Sequence, residues 1–199
     1  MRPTPFATAS LTITAITLTG LLAGASAPTA TATGSTTQAA AGARAERGRY
    51  LVGAMGCNDC HTPFKMGPTG PEPDMSRALT GHPAGLTMPP APELPPGPWV
   101  WVGAGTNTAF AGPWGVSFTA NLTPDKETGL GDWTEQQFMQ ALRTGRHQGK
   151  GRPILPPMPY RMIGTLSDED LKGVFAYLQS LAPVHNRVPA PVDPAEGAK

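Results

Sequence analysis

Five consecutive residues of this chain, Cys57-Asn58-Asp59-Cys60-His61, combine two thiols and an imidazole at a spacing able to do covalent and metal chemistry. They contain the only two cysteines of the 199 residues. Two thiols three residues apart near the end of a helix can add to the two vinyl groups of a haem, and the next residue, His61, then lies beneath the iron as a proximal ligand. The same spacing serves a structural disulfide, a redox dithiol or half of a zinc site. A redox dithiol belongs in a βαβ context, which the sequence lacks. Haem attachment consumes both thiols, which agrees with there being two cysteines and no others.

A six-coordinate iron needs a ligand on the opposite side. Met158 stands in Pro156-Pro157-Met158-Pro159-Tyr160, where the prolines restrict the backbone and present a soft thioether; His/Met ligation raises a haem potential. Met162 competes from a less constrained setting, and Met66, Met75 and Met88 lie in a Pro/Gly-rich stretch from which they could reach an iron. Met139 belongs on a helix and reads as core. His82, His147 and His185 read as surface or hydrogen-bonding residues, with bis-histidine ligation as the lesser alternative.

The elements that must position these groups are legible as helices. The first is expected from about Ala43 to Met55, ending at Gly56 directly before Cys57. Tyr50, Leu51, Ala54 and Met55 would form its apolar side, and Gly48 and Gly53 would admit a close helix. The second starts at Thr134, where Thr134 with Gln137 makes a capping box and Trp133 with Phe138 a hydrophobic staple. It ends near Arg143-Thr144-Gly145. The third starts at Ser167, with Leu166 and Leu171 in staple positions. Leu171, Val174, Phe175, Leu178 and Leu181 then repeat at the spacing of a helix buried on one side.

Residues 62–117 differ in kind. They hold 12 Pro and 9 Gly, which disfavours long helices and central strands. Trp99, Trp101, Phe110, Trp114 and Phe118 in or beside the stretch argue for an irregular excursion folded onto the core, and a loop so long is expected to serve as a cover over the cofactor. Trp99, Trp101 and Trp114 would either line the pocket or form a satellite core. Arg143, Arg146, Lys150 and Arg152 could pair with haem propionates, with a solvated basic loop as the plainer reading.

The ends of the chain carry less chemistry. Residues 1–25 read as a secretory signal, with Arg2 as the only charge, an apolar run from Leu11 to Ala23, and cleavage near Ala23-Gly24-Ala25. The run is too short and threonine-rich for a good bilayer span. Membrane contact is therefore expected only if the segment is left uncut. Residues 26–42, rich in Ala and Thr, read as a disordered linker, residues 43–185 as the folded domain, and residues 186–199 as a flexible tail. Lys and Arg total 15 against 14 Asp and Glu, a formal charge of +1, so the chain lacks the basic face that nucleic-acid binding requires.

The order of these features resembles a class I cytochrome c domain. The resemblance runs from the N-terminal helix and Cys57-Asn58-Asp59-Cys60-His61, through Ala120-Asn121-Leu122-Thr123-Pro124-Asp125 and Gly131-Asp132-Trp133-Thr134, to Met158-Pro159-Tyr160 and the helix after Leu166. It covers about residues 43–185 and is closest to monohaem domains found alone or as haem subunits of bacterial dehydrogenases. It implies an all-α fold around one covalent haem c, with His61 proximal and Met158, before Pro-Tyr, distal. It further implies crossing terminal helices, with Gly48 and Tyr50 near Phe175 and Tyr177. A proline carbonyl, Pro68 or Pro71, would brace His61. The implied function is single-electron transfer between redox proteins, such as a dehydrogenase, an oxidase or another cytochrome, outside the cytoplasm. The alternative is a haem enzyme, peroxidase-like or a dehydrogenase haem subunit, with an open or labile sixth position. The insertion at 62–117 is where this chain departs from compact members.

Overall fold

The structure, a computed structural model, describes residues 32–194, with side chains from Gln38 onward. The expected signal at 1–25 and the first part of the expected linker lie outside the described residues.

Helix α1 spans Ala32–Ala54 and so begins well before Ala43. The segment expected as disordered linker is therefore helical from Ala32. From Ala32 on it has no proline, and Ala39, Ala40 and Ala41 are strong helix formers, so the helix propagates backward from its packed end even though residues 38–44 are exposed. The buried side of α1 is Gly48, Leu51 and Val52, with Met55 half-buried, an i, i+3, i+4, i+7 stripe. Tyr50 is 61% exposed and Ala54 is exposed, so the expected apolar side is rotated. Tyr50 instead lies under the Arg47 guanidinium, 5.6 Å from its ring centre.

The partner of α1 sets that rotation. Helix α5, Asp168–Gln179, buries Leu171, Gly173, Val174, Phe175 and Leu178, as its sequence period predicts. It crosses α1 where Gly48 meets Gly173: a Cβ on Gly48 would strike the Gly173 carbonyl and the Tyr177 Cβ. Gly53, the other glycine expected at a crossing, has open space where its Cβ would be. Arg47 Nε donates to Asp170 Oδ1 at 2.9 Å across the same crossing.

Helix α3, Glu135–Thr144, has the reciprocal capping box of Thr134 and Gln137 and ends on Gly145 at φ 66. Between α1 and α3 lies α2, Cys57–His61, and between α3 and α5 the short α4, Tyr160–Ile163. Leu51, Val52, Leu79, Leu130, Phe138, Leu142, Ile163 and the α5 side chains form one core. Each such fully buried side chain contributes roughly 1.5–3 kcal/mol.

The fold is therefore helical at its centre, but the excursion at 62–117 is more ordered than expected. Strands β1, Phe64–Gly67, and β2, Gly70–Pro73, form an antiparallel hairpin. Strands β3, Val102–Gly103, β4, Ala109–Gly112, and β5, Gly115–Phe118, form a second small antiparallel sheet. Each of the two sheets is too short to show alternation. Pro71 and Pro73 are tolerated because, among the described residues, β2 has β1 as its only neighbour.

The segment from 186 onward, expected as a flexible tail, is pinned as far as Val192. Asn186 Nδ2 donates to the Thr80 and His82 carbonyls at 2.7 and 2.9 Å, and its Oδ1 accepts from Ala84 N at 2.9 Å. Val192 then exchanges two backbone hydrogen bonds with Val116. Among the described residues no helix is long and apolar enough to cross a membrane.

Candidate functional site

Gly56, at φ 66, turns the chain from the end of α1 directly into α2, which places Cys57 in the first position of the new helix. Cys57 and Cys60 are half-buried free thiols. Burial pushes the Cys57 thiol up to about 11, with the Asp59 charge adding to it, and burial likewise raises Cys60. Redox dithiols work as thiolates with depressed values, so these two sulfurs are poor candidates for thiol–disulfide exchange. Among the described residues no group of three or more His, Cys, Asp or Glu side chains is arranged to hold a metal ion on its own.

His61 is 7% exposed, and its Nδ1 lies 2.8 Å from the Ala120 carbonyl. A carbonyl only accepts, so Nδ1 carries the proton, and in the neutral ring Nε2 then keeps its lone pair. Burial lowers the imidazole's proton affinity, the Ala120 contact opposing it in part, which favours the neutral ring. A neutral histidine oriented through Nδ1–H is the form that ligates a metal. The brace is thus Ala120 and not Pro68 or Pro71: Pro68 sits exposed at the β1–β2 turn, and Pro71 lies within β2.

The insertion latches onto α2. Gly81 N donates to the His61 carbonyl at 2.8 Å, and Asn107 Nδ2 to the Asp59 carbonyl at 2.6 Å. The Thr62 hydroxyl bridges Asn58 Oδ1, at 2.8 Å, and Leu79 N, at 2.9 Å. Asn121, beside the brace, is 2% exposed; it donates to the Val184 carbonyl at 2.8 Å and accepts from Thr123. These contacts hold Ala120 in place, and a backbone carbonyl at this site has no signature in the sequence.

Met158 is half-buried and packs against the same core as Cys57 and Met55. Its loop is shaped by a cis Pro156–Pro157 bond, a Tyr160 N to Met158 carbonyl bond of 2.9 Å, and a Ser117 hydroxyl donating to the Pro156 carbonyl at 2.6 Å. The other methionines are placed differently. Met66, Met75 and Met162 are 77%, 61% and 52% exposed. Met88 lies with Met66, Leu86 and Pro71 along a shallow apolar groove of the insertion, and Met139 packs on the core.

The other histidines are engaged elsewhere. His82 is fully buried, with Nδ1 3.0 Å from the Thr108 hydroxyl and Nε2 3.1 Å from the Leu86 carbonyl. His147 sits edge-on to Trp133, and His185 lies 3.5 Å from Asp125.

In the basic cluster, Arg143 is committed to the fold: it donates to the Gly164 and Leu166 carbonyls and to Asp168. Arg146 and Arg152 donate to the Gly151 and Pro153 carbonyls of their own loop, while Lys150 is exposed. Trp99 and Trp101 are 75% and 46% exposed, so neither is interior. Trp114 Nε1 and the Thr119 hydroxyl are buried without a hydrogen-bond partner among the described residues.

Two free thiols one turn apart and a buried imidazole braced through Nδ1 thus stand together at the end of a helical core crossed at Gly48. The family model for cytochrome c matches residues 45–182, and the chain belongs to the cytochrome c family. Its similar proteins include one component of the nicotinate dehydrogenase of Pseudomonas putida, 38% identical over 39% of this chain and 6% of that protein. The gluconate 2-dehydrogenase cytochrome c subunit of Pantoea cypripedii is 41% identical over 38% of this chain and 17% of its own. The fructose dehydrogenase cytochrome subunit of Gluconobacter japonicus is 39% identical over 36% of this chain and 15% of its own. The chain thus matches less than a fifth of the length of each of these relatives. By name, the latter two are cytochrome subunits of bacterial dehydrogenases.

Proposed function

We propose that this chain is an exported monohaem c-type cytochrome that passes single electrons between redox partners, with one haem c joined to Cys57 and Cys60 and its iron held by His61 Nε2 and Met158 Sδ. The observation that carries the reading is the His61–Ala120 hydrogen bond, which leaves Nε2 unprotonated in the turn that also carries both thiols. Bound there, haem supplies an iron that alternates between ferric and ferrous states.

The remaining work is the protein's own. Each thiol adds its S–H across a vinyl double bond, so attachment consumes no oxidant and leaves both sulfurs inert. Ala120 fixes the tautomer and ring orientation of His61, which keeps the proximal ligand from moving when the charge changes. Met158 offers a soft ligand from a loop with little backbone freedom, and the apolar core behind Cys57 and Met158 keeps water away. Ligands that stay in place keep the reorganisation on electron transfer small. The names of the relatives support a dehydrogenase as one redox partner, and the N-terminal sequence supports an extracytoplasmic site.

The test is the sixth ligand. Wild-type protein is expected to be low-spin in both oxidation states and to bind no carbon monoxide. Met158→Ala is expected to become high-spin when ferric, to bind carbon monoxide when ferrous, and to have a lowered potential. A wild-type high-spin ferric form that turns over peroxide would instead establish the haem-enzyme reading, and an unchanged Met158→Ala spectrum would discard Met158 as ligand.

A further inference from the structure

The loop that carries Met158 has an unusual shortage of hydrogen bonds. Pro156, Pro157 and Pro159 have no N–H to give. Among the described residues the Met158 carbonyl accepts only from its near neighbour Tyr160, and the Pro159 carbonyl from Met162 and Ile163. Among the described residues, one hydrogen bond joins 155–159 to a distant segment: the Ser117 hydroxyl donating to the Pro156 carbonyl at 2.6 Å. Ser117 is 7% exposed, so water does not readily replace it, and its second acceptor, the Phe110 carbonyl, is distant at 3.4 Å.

Ser117 belongs to β5, in the insertion, paired opposite Phe110 of β4. Three residues further on, Ala120 supplies the carbonyl that orients His61. Segment 117–120 therefore reaches the supports of both His61 and Met158.

We infer that Ser117 is a positioning residue: its hydroxyl holds the Pro156–Pro159 loop closed and so sets how readily the Met158 sulfur leaves the haem iron. The inference rests on the reading of Met158 as distal ligand. It gives the insertion a role that a mere cover would not have, since the excursion then controls the lability of an axial ligand through one buried hydroxyl.

The experiment uses ferric holoprotein with imidazole as the probe, because imidazole binds the iron only when the native sixth ligand has moved away. The readouts are the apparent imidazole affinity and the weak sulfur-to-iron charge-transfer absorption. Ser117→Ala is expected to bind imidazole about five- to ten-fold more tightly, the equilibrium equivalent of one lost internal hydrogen bond, and to weaken that absorption. Ser117→Thr, which keeps the hydroxyl, should behave as wild type, and Ser117→Val, its isostere without one, should behave as Ser117→Ala. The Thr/Val pair decides the question if Ser117→Ala does not accumulate with haem.

A role in stability alone would lower the urea midpoint of the Val and Ala variants while leaving imidazole affinity unchanged, and that result overturns the inference. Met158→Ala separates the two levels. If it alters both readouts while the Ser117 variants alter neither, only the role of Ser117 falls. If Met158→Ala alters neither, the ligand reading falls and this inference with it.

Discussion

Replacing Gly48 by alanine tests the crossing on which the site's foundation rests. A Cβ there would overlap the Gly173 carbonyl and the Tyr177 Cβ, and the first of these is backbone that cannot rotate away. Alanine is the better helix former by about 1 kcal/mol, but overpacking a crossing held by backbone belongs at or above the upper end of the usual range of about 1–3 kcal/mol. The net expectation is a loss of about 2 kcal/mol. Gly53, in the last turn of the same helix, is the internal control, since its Cβ would meet nothing. Gly53→Ala should gain about 0.5 kcal/mol, part of the full propensity difference because Gly53 is next to the last residue of the helix.

The two variants differ only in where one methyl stands on one helix, yet their melting temperatures should separate by roughly 5–10 °C for a domain of this size. Thermal unfolding of the holoprotein followed by far-ultraviolet circular dichroism measures this directly. Gly173→Ala should fall between them, because its Cβ would lie 3.2 Å from the Arg44 carbonyl, tight but not overlapping. Equal stability of Gly48→Ala and Gly53→Ala would refute the crossing and with it the placement of α1 against α5.

Other perturbations probe the tail and the loops. Asn186→Ala leaves the Thr80 and His82 carbonyls and the Ala84 N–H without their partner, at a cost of about 3 kcal/mol. Asn186→Asp should cost more at neutral pH, since a carboxylate would face two carbonyls; urea midpoints within experimental scatter of wild type for both would show that the tail is not anchored there. Asp125 accepts from the Thr128 hydroxyl at 2.6 Å and from Thr128 N at 2.8 Å, and chiefly that hydroxyl holds its carboxyl below the ordinary range. Its stabilising share is complete above about pH 4 and is lost as the pH falls through the depressed folded value. Wild type should therefore lose stability more steeply than Asp125→Asn as the pH falls below about 4 in urea titrations, and parallel curves there would show that Asp125 contributes nothing.

What could be read from the residues alone was whatever is local. The Thr134–Gln137 box, the Ser167 cap and the Leu171–Leu178 stripe are short-range patterns, and each of these helices begins where its cap stands. The phase of α1 was not local: Tyr50 looked apolar, but the meeting of Gly48 with Gly173 decides which side is buried. The strands of the insertion were hidden because Phe64–Gly67 and Ala109–Gly112 are each only four residues long, framed by the glycines and prolines that argued for irregular chain. The site itself divides the same way. Cys57, Cys60, His61 and Met158 are chemically conspicuous residue types, whereas the support from Ala120 is a main-chain oxygen and Ser117 is an ordinary serine until the fold brings it to Pro156.

The central claim is that Cys57 and Cys60 carry one covalent haem with His61 beneath its iron. The most direct measurement is the absorption spectrum of purified, fully denatured protein, matured with haem-attachment machinery and passed through a sizing column under denaturing conditions. Haem absorption should travel with the polypeptide at one haem per chain, no free thiol should titrate, and Cys57→Ser with Cys60→Ser should abolish the signal. Haem that separates from the denatured chain, or two thiols that still react, would contradict the claim.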